Sequence, residues 1–237
     1  MWKKVLSLCV WLLAPLGAQA EDIIVSFTFD DAPKSVVTVG LPLMAEAGYP
    51  ATVYITTLNT SVPDYMSWED VAVVAAQGWE IGAHTHLHLD LTTLTDEAIT
   101  LDLETANDDF LRHGFDPVAF ATPFGAYDDR VLEIVKRYYE SHRAAWPAGT
   151  NSFSPDPYAI VSYKITRDTT IEEVTSLLEN LQKTGGWVVF QLHHLFPQGE
   201  VVTEEYGSDL LSEIIEQVQS RNIAVLTVSD ALKQLKE

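Results

Sequence analysis

Apolar and polar positions alternate along this chain in two different patterns. Seven short apolar runs have the length of β-strands: DIIVSFTF, ATVYIT, WEIGAHT, VAFATP, AIVSYKI, WVVFQLH and IAVLTV. Most are separated by amphipathic stretches of helical length, such as SWEDVAVVAAQG, TDEAITLDLETANDDFLRHG and DDRVLEIVKRYY. A further stretch begins with Thr170 and Glu173, spaced as a capping box, and ends in glycines. This alternation predicts an α/β fold with a mainly parallel sheet, open or closed into a barrel.

The residues along each strand point alternately to its two faces, which assigns the polar residues at strand ends to a face. The face packed on helices is predicted to hold the apolar residues Val25, Phe27, Phe29, Trp79, Ile81, Ala83, Val188, Phe190 and Leu192. Asp30, His84 and His193 then point inward at the ends of three different strands, and Gln191 shares the inward face with His193. Catalytic groups of parallel α/β barrels gather at the carboxyl ends of the strands, so we expect these residues on one rim.

The first twenty residues have the layout of a secretory signal peptide. Lys3 and Lys4 precede an apolar run too short to span a bilayer, and Ala18, Gln19 and Ala20 precede acidic Glu21. We expect cleavage after Ala20, a single catalytic domain over residues 21–237, and a periplasmic or secreted protein without a membrane anchor in its mature chain. No repeat, low-complexity stretch or Pro/Gly-rich linker divides that domain.

Charge narrows the range of partners. The chain carries 14 basic and 34 acidic residues, and loss of Lys3 and Lys4 leaves 12 minus 34, or −22. Such acidity argues against nucleic acid and anionic membranes as partners. The only cysteine lies within the predicted leader, so stability is expected to come from packing without disulfides. The mature chain is expected to be a monomer.

Candidate chemistry lies in FTFDDAP and HTHLH. FTFDDAP places Asp30 and Asp31 together where an apolar strand ends, and HTHLH holds three histidines within residues 84–88. Imidazole and carboxylate are common ligands of zinc, and two histidines with one aspartate leave coordination positions open. A polar loop with solvated histidines is the simpler alternative. The inward-pointing carboxylates beside the histidines favour a metal site.

The motifs TFDD, HTHLH, TPFG and the late LHH resemble, in order and spacing, the polysaccharide deacetylases with a NodB-like domain, also called carbohydrate esterase family four. The resemblance extends from about Asp22 to the final helix. It implies a distorted (β/α) barrel of mainly parallel strands and one divalent metal, usually zinc, with cobalt or nickel as alternatives. It also implies removal of acetyl groups from an N-acetylglucosamine-containing poly- or oligosaccharide such as chitin oligomers, peptidoglycan or poly-N-acetylglucosamine.

Carried over by position, the resemblance makes Asp30 the catalytic base and gives the metal to Asp31, His84 and His88. Thr85 matches the hydroxyl residue that braces the histidine loop, whereas His86 falls at a variable position and is expected to be an exposed loop residue. Phe124 matches the position whose backbone N–H stabilises the oxyanion. His193 matches the acid that protonates the leaving nitrogen, with His194 as an outer neighbour. His113 and His142 have no motif and are expected to be structural.

One position departs from the family pattern. The arginine that steadies the catalytic aspartate usually stands two residues before the proline of the third motif, where this chain has Ala121. Some relatives carry a later arginine instead, and Arg143 is the candidate replacement. A fixed guanidinium is suited to hold a carboxylate.

Four other functions remain open from the sequence. The same site would serve an O-acetyl esterase acting on acetylated xylan, and a carbohydrate-binding protein with lost catalysis would stack Trp146, Tyr127 or Phe196 on sugar rings. Tyr127 is accordingly a candidate substrate contact. A metal-independent relative acting on cyclic imides and a non-haem iron oxygenase rank lower, since export, the metal triad and the additional base and acid fit polymer hydrolysis better.

Overall fold

The computed structural model describes residues 23–204 and 206–235. The predicted signal peptide, including Cys9 and the cleavage position after Ala20, lies outside the described residues. Within them, no helix combines the length and apolar character needed to cross a bilayer.

A curled parallel sheet forms the centre of the protein. Its strands are β1 (Ile23–Phe29), β2 (Thr52–Ile55), β3 (Glu80–Ala83), β4 (Ala119–Ala121), β5 (Ser141–Arg143), β6 (Tyr163–Lys164), β7 (Gly186–Leu192) and β10 (Ala224–Val225). The strand order is β5-β4-β3-β2-β1-β7-β6, and β10 pairs with the first residues of β1. A separate pair, β8 (His194–Leu195) and β9 (Gly207–Ser208), follows β7.

Helices cover the outside of the sheet, as the amphipathic stretches predict. They are α1 (Leu41–Ala47), α2 (Trp68–Ala76), α3 (Asp96–Arg112), α4 (Asp129–Val135), α5 (Ile171–Thr184), α6 (Leu211–Ser220) and α7 (Val228–Gln234). The capping box at the start of α5 is confirmed: the Glu173 N–H donates to Thr170 Oγ1 (3.3 Å) and the Thr170 N–H donates to Glu173 Oε2 (2.9 Å). Gly185, with φ of 66°, ends the helix.

The sheet closes into a distorted barrel through one bent segment. Ile160 forms a parallel bridge with Arg143 of β5, and Tyr163 and Lys164, a few residues later, pair with β7. Residues 160–164 therefore contact both edges of the sheet. The predicted barrel of mainly parallel strands is confirmed, and the predicted strand over residues 159–165 is reduced to two residues by this bend.

The run IAVLTV differs from its predicted strand. Only Ala224 and Val225 pair with β1, because β2 occupies the later part of the same edge at Thr28 and Phe29. Thr227 then caps α7 by accepting a hydrogen bond from the Asp230 N–H (3.2 Å). A helix thus begins where the apolar run alone indicated more strand.

The predicted parity of the strands is confirmed, and it determines where chemistry is possible. The alternate residues of β1 and β7 that were assigned outward pack with the helices in the main core. At the amino end of the barrel, Ile24, Trp187 and Val189 pack inside against Val228 and Ala231 of α7. This apolar packing closes one end of the barrel. Asp30, His84, Gln191 and His193 lie toward the carboxyl end, whereas Thr52 and Glu80 form hydrogen bonds with the start of α7 at the amino end.

Candidate metal centre and active site

The loops at the carboxyl ends of β1, β3 and β4 have an unusual backbone. Among described residues, the non-glycine positions with positive φ are Asp31 (63°), Ala32 (54°), Thr85 (69°), His88 (54°), Phe124 (59°) and Asn222 (52°). All but Asn222 lie in these three loops. Left-handed backbone costs a side-chain-bearing residue roughly 1 kcal/mol or more and is found mainly where neighbouring contacts enforce it. Three strained loops at one rim are typical of a functional site.

Three side chains converge on one point of this rim. Asp31 Oδ1 lies 3.3 Å from His84 Nε2 and 2.9 Å from His88 Nε2. One ligand atom from each of these residues lies within 4.8 Å of the other two. Among described residues, the buried Asp31 Oδ1 has no hydrogen-bond donor. A carboxylate oxygen and two imidazole nitrogens that converge in this way are a ligand set for a divalent cation.

Electrostatics at the same point favour positive charge. Burial alone would raise the pKa of Asp31, but both histidines beside it hold that pKa far below its usual range. Burial lowers the pKa of His84, yet Asp31 and Asp30 outweigh this and raise it above its ordinary value. Both shifts describe a place where a cation is stabilised, so the residues present fit a metal ion.

Neighbouring backbone groups orient the two histidines. His84 Nδ1 donates to the Ala121 carbonyl (2.7 Å), which leaves Nε2 facing Asp31. The His88 N–H donates to Thr85 Oγ1 (2.9 Å), the bracing contact that the motif predicts. Asp102 of α3 accepts the N–H groups of His86 and Leu87, both at 2.9 Å. The Thr85 hydroxyl and the Asp102 carboxylate of α3 therefore hold the loop between the two histidines in place.

Asp30 lies in different surroundings from Asp31. Its side chain is 2% exposed, and Arg143 Nη2 contacts Oδ1 at 2.7 Å and Oδ2 at 2.6 Å. Gln191 Nε2 donates to Oδ2 at 2.7 Å. Burial would raise the pKa of Asp30, but the Arg143 guanidinium and, after it, His193 hold that pKa below its ordinary value. Asp30 is therefore an ionised carboxylate surrounded by donors.

Ala121 and Arg143 are direct neighbours across β4 and β5. The two residues are register partners, so their side chains point to the same face of the sheet at the same level. Ala121 belongs to a small interior cluster with Ala119 and Tyr54, and the Arg143 guanidinium carbon lies 5.0 Å from the Tyr54 ring centroid. The small side chain on β4 leaves room for the arginine on β5 to reach Asp30.

His193 follows β7, and His84 follows β3. In the sheet these two strands lie on opposite sides of β1, which carries Asp30 at its end. The Nε2 of His193 is 3.8 Å from Asp30 Oδ2, which is beyond hydrogen-bonding distance, and its ring packs on Tyr206 with centroids 5.5 Å apart. Burial lowers the pKa of His193 despite the nearby Asp30. A lowered pKa makes the protonated ring a stronger acid.

Two predicted site residues remain, Phe124 and Tyr127, and they have different surroundings. The exposed Phe124 ring packs edge-on against His88, with centroids 4.7 Å apart. Tyr127 packs partly on the main core and against His142 at 4.9 Å. The contacts of Tyr127 are therefore with the core. Its predicted contact with substrate stays a prediction.

The other histidines have structural contacts. His86 differs from the expected exposed residue: it is half-buried, with Nδ1 2.8 Å from Thr57 Oγ1 and 3.2 Å from Asp109 Oδ2. The pairing arises because the turn Thr57–Ser61 and α3 pack on both sides of its loop. His194 Nε2 lies 3.5 Å from Glu204 Oε2.

Two contacts of the site were not assigned a role from sequence. Asp102 supports the histidine loop. The sequence feature that could have indicated this role is an acidic residue on the otherwise apolar stripe of α3, which is formed by Ile99, Leu103, Ala106 and Phe110. Gln191 contacts Asp30, and its signal was an amide inside the apolar run WVVFQLH. Buried polar residues of this kind need a partner, which the sequence alone does not identify.

Solved structures share this fold. The Xyl-CE4 domain of a multidomain xylanase from the hindgut metagenome of Trinervitermes trinervoides superposes with a TM-score of 0.63 and 19% identity, covering 90% of this chain and 91% of that one. A family 4 acetyl xylan esterase from Clostridium thermocellum, solved in complex with a cobalt ion, gives a TM-score of 0.62 and 18% identity, with 89% and 90% covered.

A curated relative and a family model extend the likeness to sequence. Chitin deacetylase 3 of Cryptococcus neoformans var. neoformans serotype D is 25% identical over 154 residues, which are 62% of this chain but only 37% of that protein. The family model described as Polysaccharide deacetylase matches residues 17–139, just over half of the chain. The match includes Asp30, Asp31, His84 and His88, and it ends before Arg143 and His193. By this match, and with the barrel and its rim as described, the chain belongs to the polysaccharide deacetylase family.

Proposed function

We propose that this protein is a metal-dependent hydrolase that removes N-acetyl groups from an N-acetylglucosamine-containing poly- or oligosaccharide and releases acetate. The observation that carries the proposal is the division between the two adjacent aspartates. Asp31 faces two imidazole nitrogens, and in the described part of the chain no donor meets the hydrogen-bond geometry at its Oδ1. Asp30, in contrast, accepts from Arg143 and Gln191. The Asp31 carboxylate is therefore suited to bind a cation, and the Asp30 carboxylate is suited to accept a proton.

Asp31, His84 and His88 would hold the metal, for which we propose zinc, with cobalt or nickel as alternatives. When bound, such a cation polarises a carbonyl oxygen and lowers the pKa of water. The orientation of His84 by the Ala121 carbonyl supports this assignment, because metal-binding imidazoles commonly donate their other N–H to a backbone carbonyl.

Asp30 would act as the base. Its lowered pKa keeps it ionised and ready to accept a proton from the attacking water. Arg143 would hold the carboxylate in place and balance its charge while buried. The arginine does not approach the substrate in this assignment; it acts through Asp30.

His193 would protonate the leaving sugar nitrogen, without which an amine is a poor leaving group. Its Nε2 lies on the Asp30 side of the rim, 3.8 Å from Oδ2. The backbone N–H of Phe124 is proposed to donate to the oxyanion that develops on the acetyl carbon. Support for this comes from the contact of Phe124 with His88.

A glycan is the proposed substrate because exposed aromatic rings flank the polar groups. Phe124 is 62% exposed and Trp146 is 60% exposed, and Tyr206 is also exposed beside His193. The Lys164 ammonium lies 5.6 Å from the Trp146 ring centroid and 4.7 Å from that of Tyr206, which links these two rings. Flat rings of this kind offer apolar area to the faces of sugars. Chitin oligomers, peptidoglycan and poly-N-acetylglucosamine all fit the proposal.

The proposed catalytic unit is residues 21–237, acting outside the cytoplasm after loss of residues 1–20. N-terminal sequencing of exported protein would test this, with Glu21 as the expected first residue. A chain that keeps Lys3 and Lys4 would contradict it.

The proposed reaction is tested by mass spectrometry of a panel of acetylated glycans incubated with the protein, with and without a chelator. We expect loss of single acetyl groups from N-acetylated oligosaccharides, no loss with chelator, and recovery after zinc is added. Acetylated xylan serves as the ester control in the same panel. Full activity of a metal-free preparation would contradict metal dependence, and acetate release from xylan alone would contradict the substrate class.

A further inference from the structure

The Arg143 contact leaves the Asp30 carboxylate one degree of freedom. A single nitrogen, Nη2, contacts both Oδ1 (2.7 Å) and Oδ2 (2.6 Å), whereas a two-nitrogen fork would give each oxygen its own donor. A nitrogen almost equally distant from both oxygens lies along the extension of the Cβ–Cγ bond. The carboxylate can therefore still rotate about that bond. A hydrogen-bond donor to one side of the Cβ–Cγ bond is needed to fix this rotation.

Gln191 supplies such a donor. Its Nε2 donates to Oδ2 alone (2.7 Å), and the side chain reaches Asp30 from β7, where Gln191 is the register partner of Thr28. Asp30 and Gln191 are both buried. Among the described residues, Oδ2 thereby receives two donors and Oδ1 one. Because each donor occupies an acceptor site of its oxygen, Oδ1 keeps more room for an incoming proton.

The amide of Gln191 is itself held in one orientation. The buried Ser162 hydroxyl lies 3.0 Å from Gln191 Oε1 and 2.9 Å from the Ala144 carbonyl, and it accepts from Arg143 Nη1 (3.3 Å). An amide turned over would place Oε1 against the negative Oδ2 of Asp30. Charge repulsion therefore sets which way the amide faces. The Ser162 hydroxyl, whose single proton is shared between Gln191 Oε1 and the Ala144 carbonyl, holds the other end of the amide in position.

We propose that Gln191 is a positioning residue for Asp30: its amide, held by Ser162, fixes the rotation of the carboxylate and directs the incoming proton to Oδ1. The inference rests on the proposed function, since it specifies how the base of that reaction is aimed. The proton that the attacking water gives up bonds to Oδ1, and Oδ2 keeps its two hydrogen bonds throughout.

The test compares steady-state kinetics of the zinc-loaded wild type with Q191M, which keeps the length and bulk of the side chain but donates no hydrogen bond. We expect kcat to fall by about 10- to 100-fold while KM stays within about twofold, because a misaimed base affects the reacting geometry and not binding. Zinc content should equal that of the wild type. Q191E should be slower than Q191M, because it places a second carboxylate against Asp30.

Thr28→Val is the matched control. Thr28 is buried on the same inward face, and its hydroxyl donates to the Phe190 carbonyl (2.9 Å) without contacting Asp30. The T28V variant therefore loses one buried hydrogen bond between the same two strands, and its kcat should equal that of the wild type. A fall in kcat as large in T28V as in Q191M would overturn the inference.

The remaining outcomes separate this inference from the function on which it rests. An active wild type whose Q191M variant keeps its kcat, or loses activity through KM or zinc content, overturns the role of Gln191 alone. A wild type that deacetylates no glycan overturns the proposed function. S162A leaves every contact to Asp30 in place and keeps the test available if Q191M does not fold: a lower kcat at constant KM supports the proposal, and an unchanged kcat contradicts it.

Discussion

At the residue scale, neighbouring aspartates acquire different properties from what surrounds each of them. Asp31 turns away from its strand with φ of 63° and meets two imidazoles, while Asp30 stays in line with β1 and meets a guanidinium and an amide. Like charges at adjacent positions would repel, but each has its own source of compensating positive charge or hydrogen bonds. Under the proposed function, the two adjacent residues present a metal ligand and a base side by side.

Moving the arginine between neighbouring strands tests its role. R143A should leave the Asp30 carboxylate buried without its cation, with a loss of roughly 3–5 kcal/mol in the free energy of unfolding and a large fall in kcat. Because Ala121 and Arg143 are register partners, A121R combined with R143A should return an arginine to the same level of the sheet and restore part of kcat. Denaturant unfolding and kinetics on one glycan measure both effects.

A single variant R143A with wild-type kcat would show that Asp30 does not need the guanidinium. A double variant that folds but remains as slow as R143A would show that the strand position of the arginine matters beyond its charge.

At the element scale, α3 extends the site beyond the strand ends. Asp102 lies on the buried stripe of this helix and accepts the N–H groups of His86 and Leu87, which lie between His84 and His88. The helix therefore fixes the spacing of a loop that it does not belong to. Its burial against the sheet positions that carboxylate.

Removing this support should weaken metal binding without unfolding the protein. We expect Asp102→Asn to lower zinc affinity by about 10- to 100-fold, since the new NH2 group faces a backbone donor and the loop loses its fixed spacing. Calorimetric zinc titration measures the affinity. Asp108→Asn is the control, because Asp108 is exposed on the same helix and is expected to bind zinc as the wild type does. Equal affinities for D102N and wild type would refute a role for α3.

Strand β5 also carries an acid-sensitive histidine. His142 is fully buried: Nδ1 donates to the Tyr158 carbonyl (3.0 Å), and Nε2 accepts from Thr122 Oγ1 (3.0 Å). Burial lowers its pKa from 6.5 to about 4. The neutral ring is therefore stabilised in the folded state, and the unfolded state binds the extra proton between these two values.

Stability should consequently fall as pH falls from 6.5 towards 4, and this contribution should be complete above 6.5. At about 1.36 kcal/mol for each pH unit, the loss from His142 amounts to roughly 3 kcal/mol. Denaturant unfolding with chelator present, at pH steps across that window, should give a shallower slope for His142→Gln than for the wild type. Parallel slopes would contradict the assignment of acid sensitivity to this side chain.

At the scale of the whole molecule, the barrel separates stability from chemistry. Helix α7 packs apolar side chains into the amino end, and the residues of the candidate site lie at the carboxyl end beside the strained loops. The bent segment over residues 160–164 joins the two edges of the sheet and places Ser162 behind Gln191. Closure of the barrel and the hydrogen bond from Ser162 to Gln191 therefore depend on the same few residues.

The sequence predicted the parts of this arrangement that follow from periodicity. Strand alternation placed Asp30, His84 and His193 on one face, and motif spacing brought Asp31 and His88 to them. The contacts of Arg143, Gln191 and Asp102 depend on which strands and helices become neighbours, and that information is spread over the whole chain. The short β5 and the bend before β6 are set by closure of the sheet, which local patterns do not encode.

Zinc binding by metal-free wild type, D30N and D31N, measured by calorimetric titration, tests the division between the aspartates most directly. We predict one zinc ion per chain for wild type and D30N, and no binding by D31N at the same concentrations. D31N binding zinc as the wild type does, or D30N losing it as D31N should, would contradict the assignment of ligand and base.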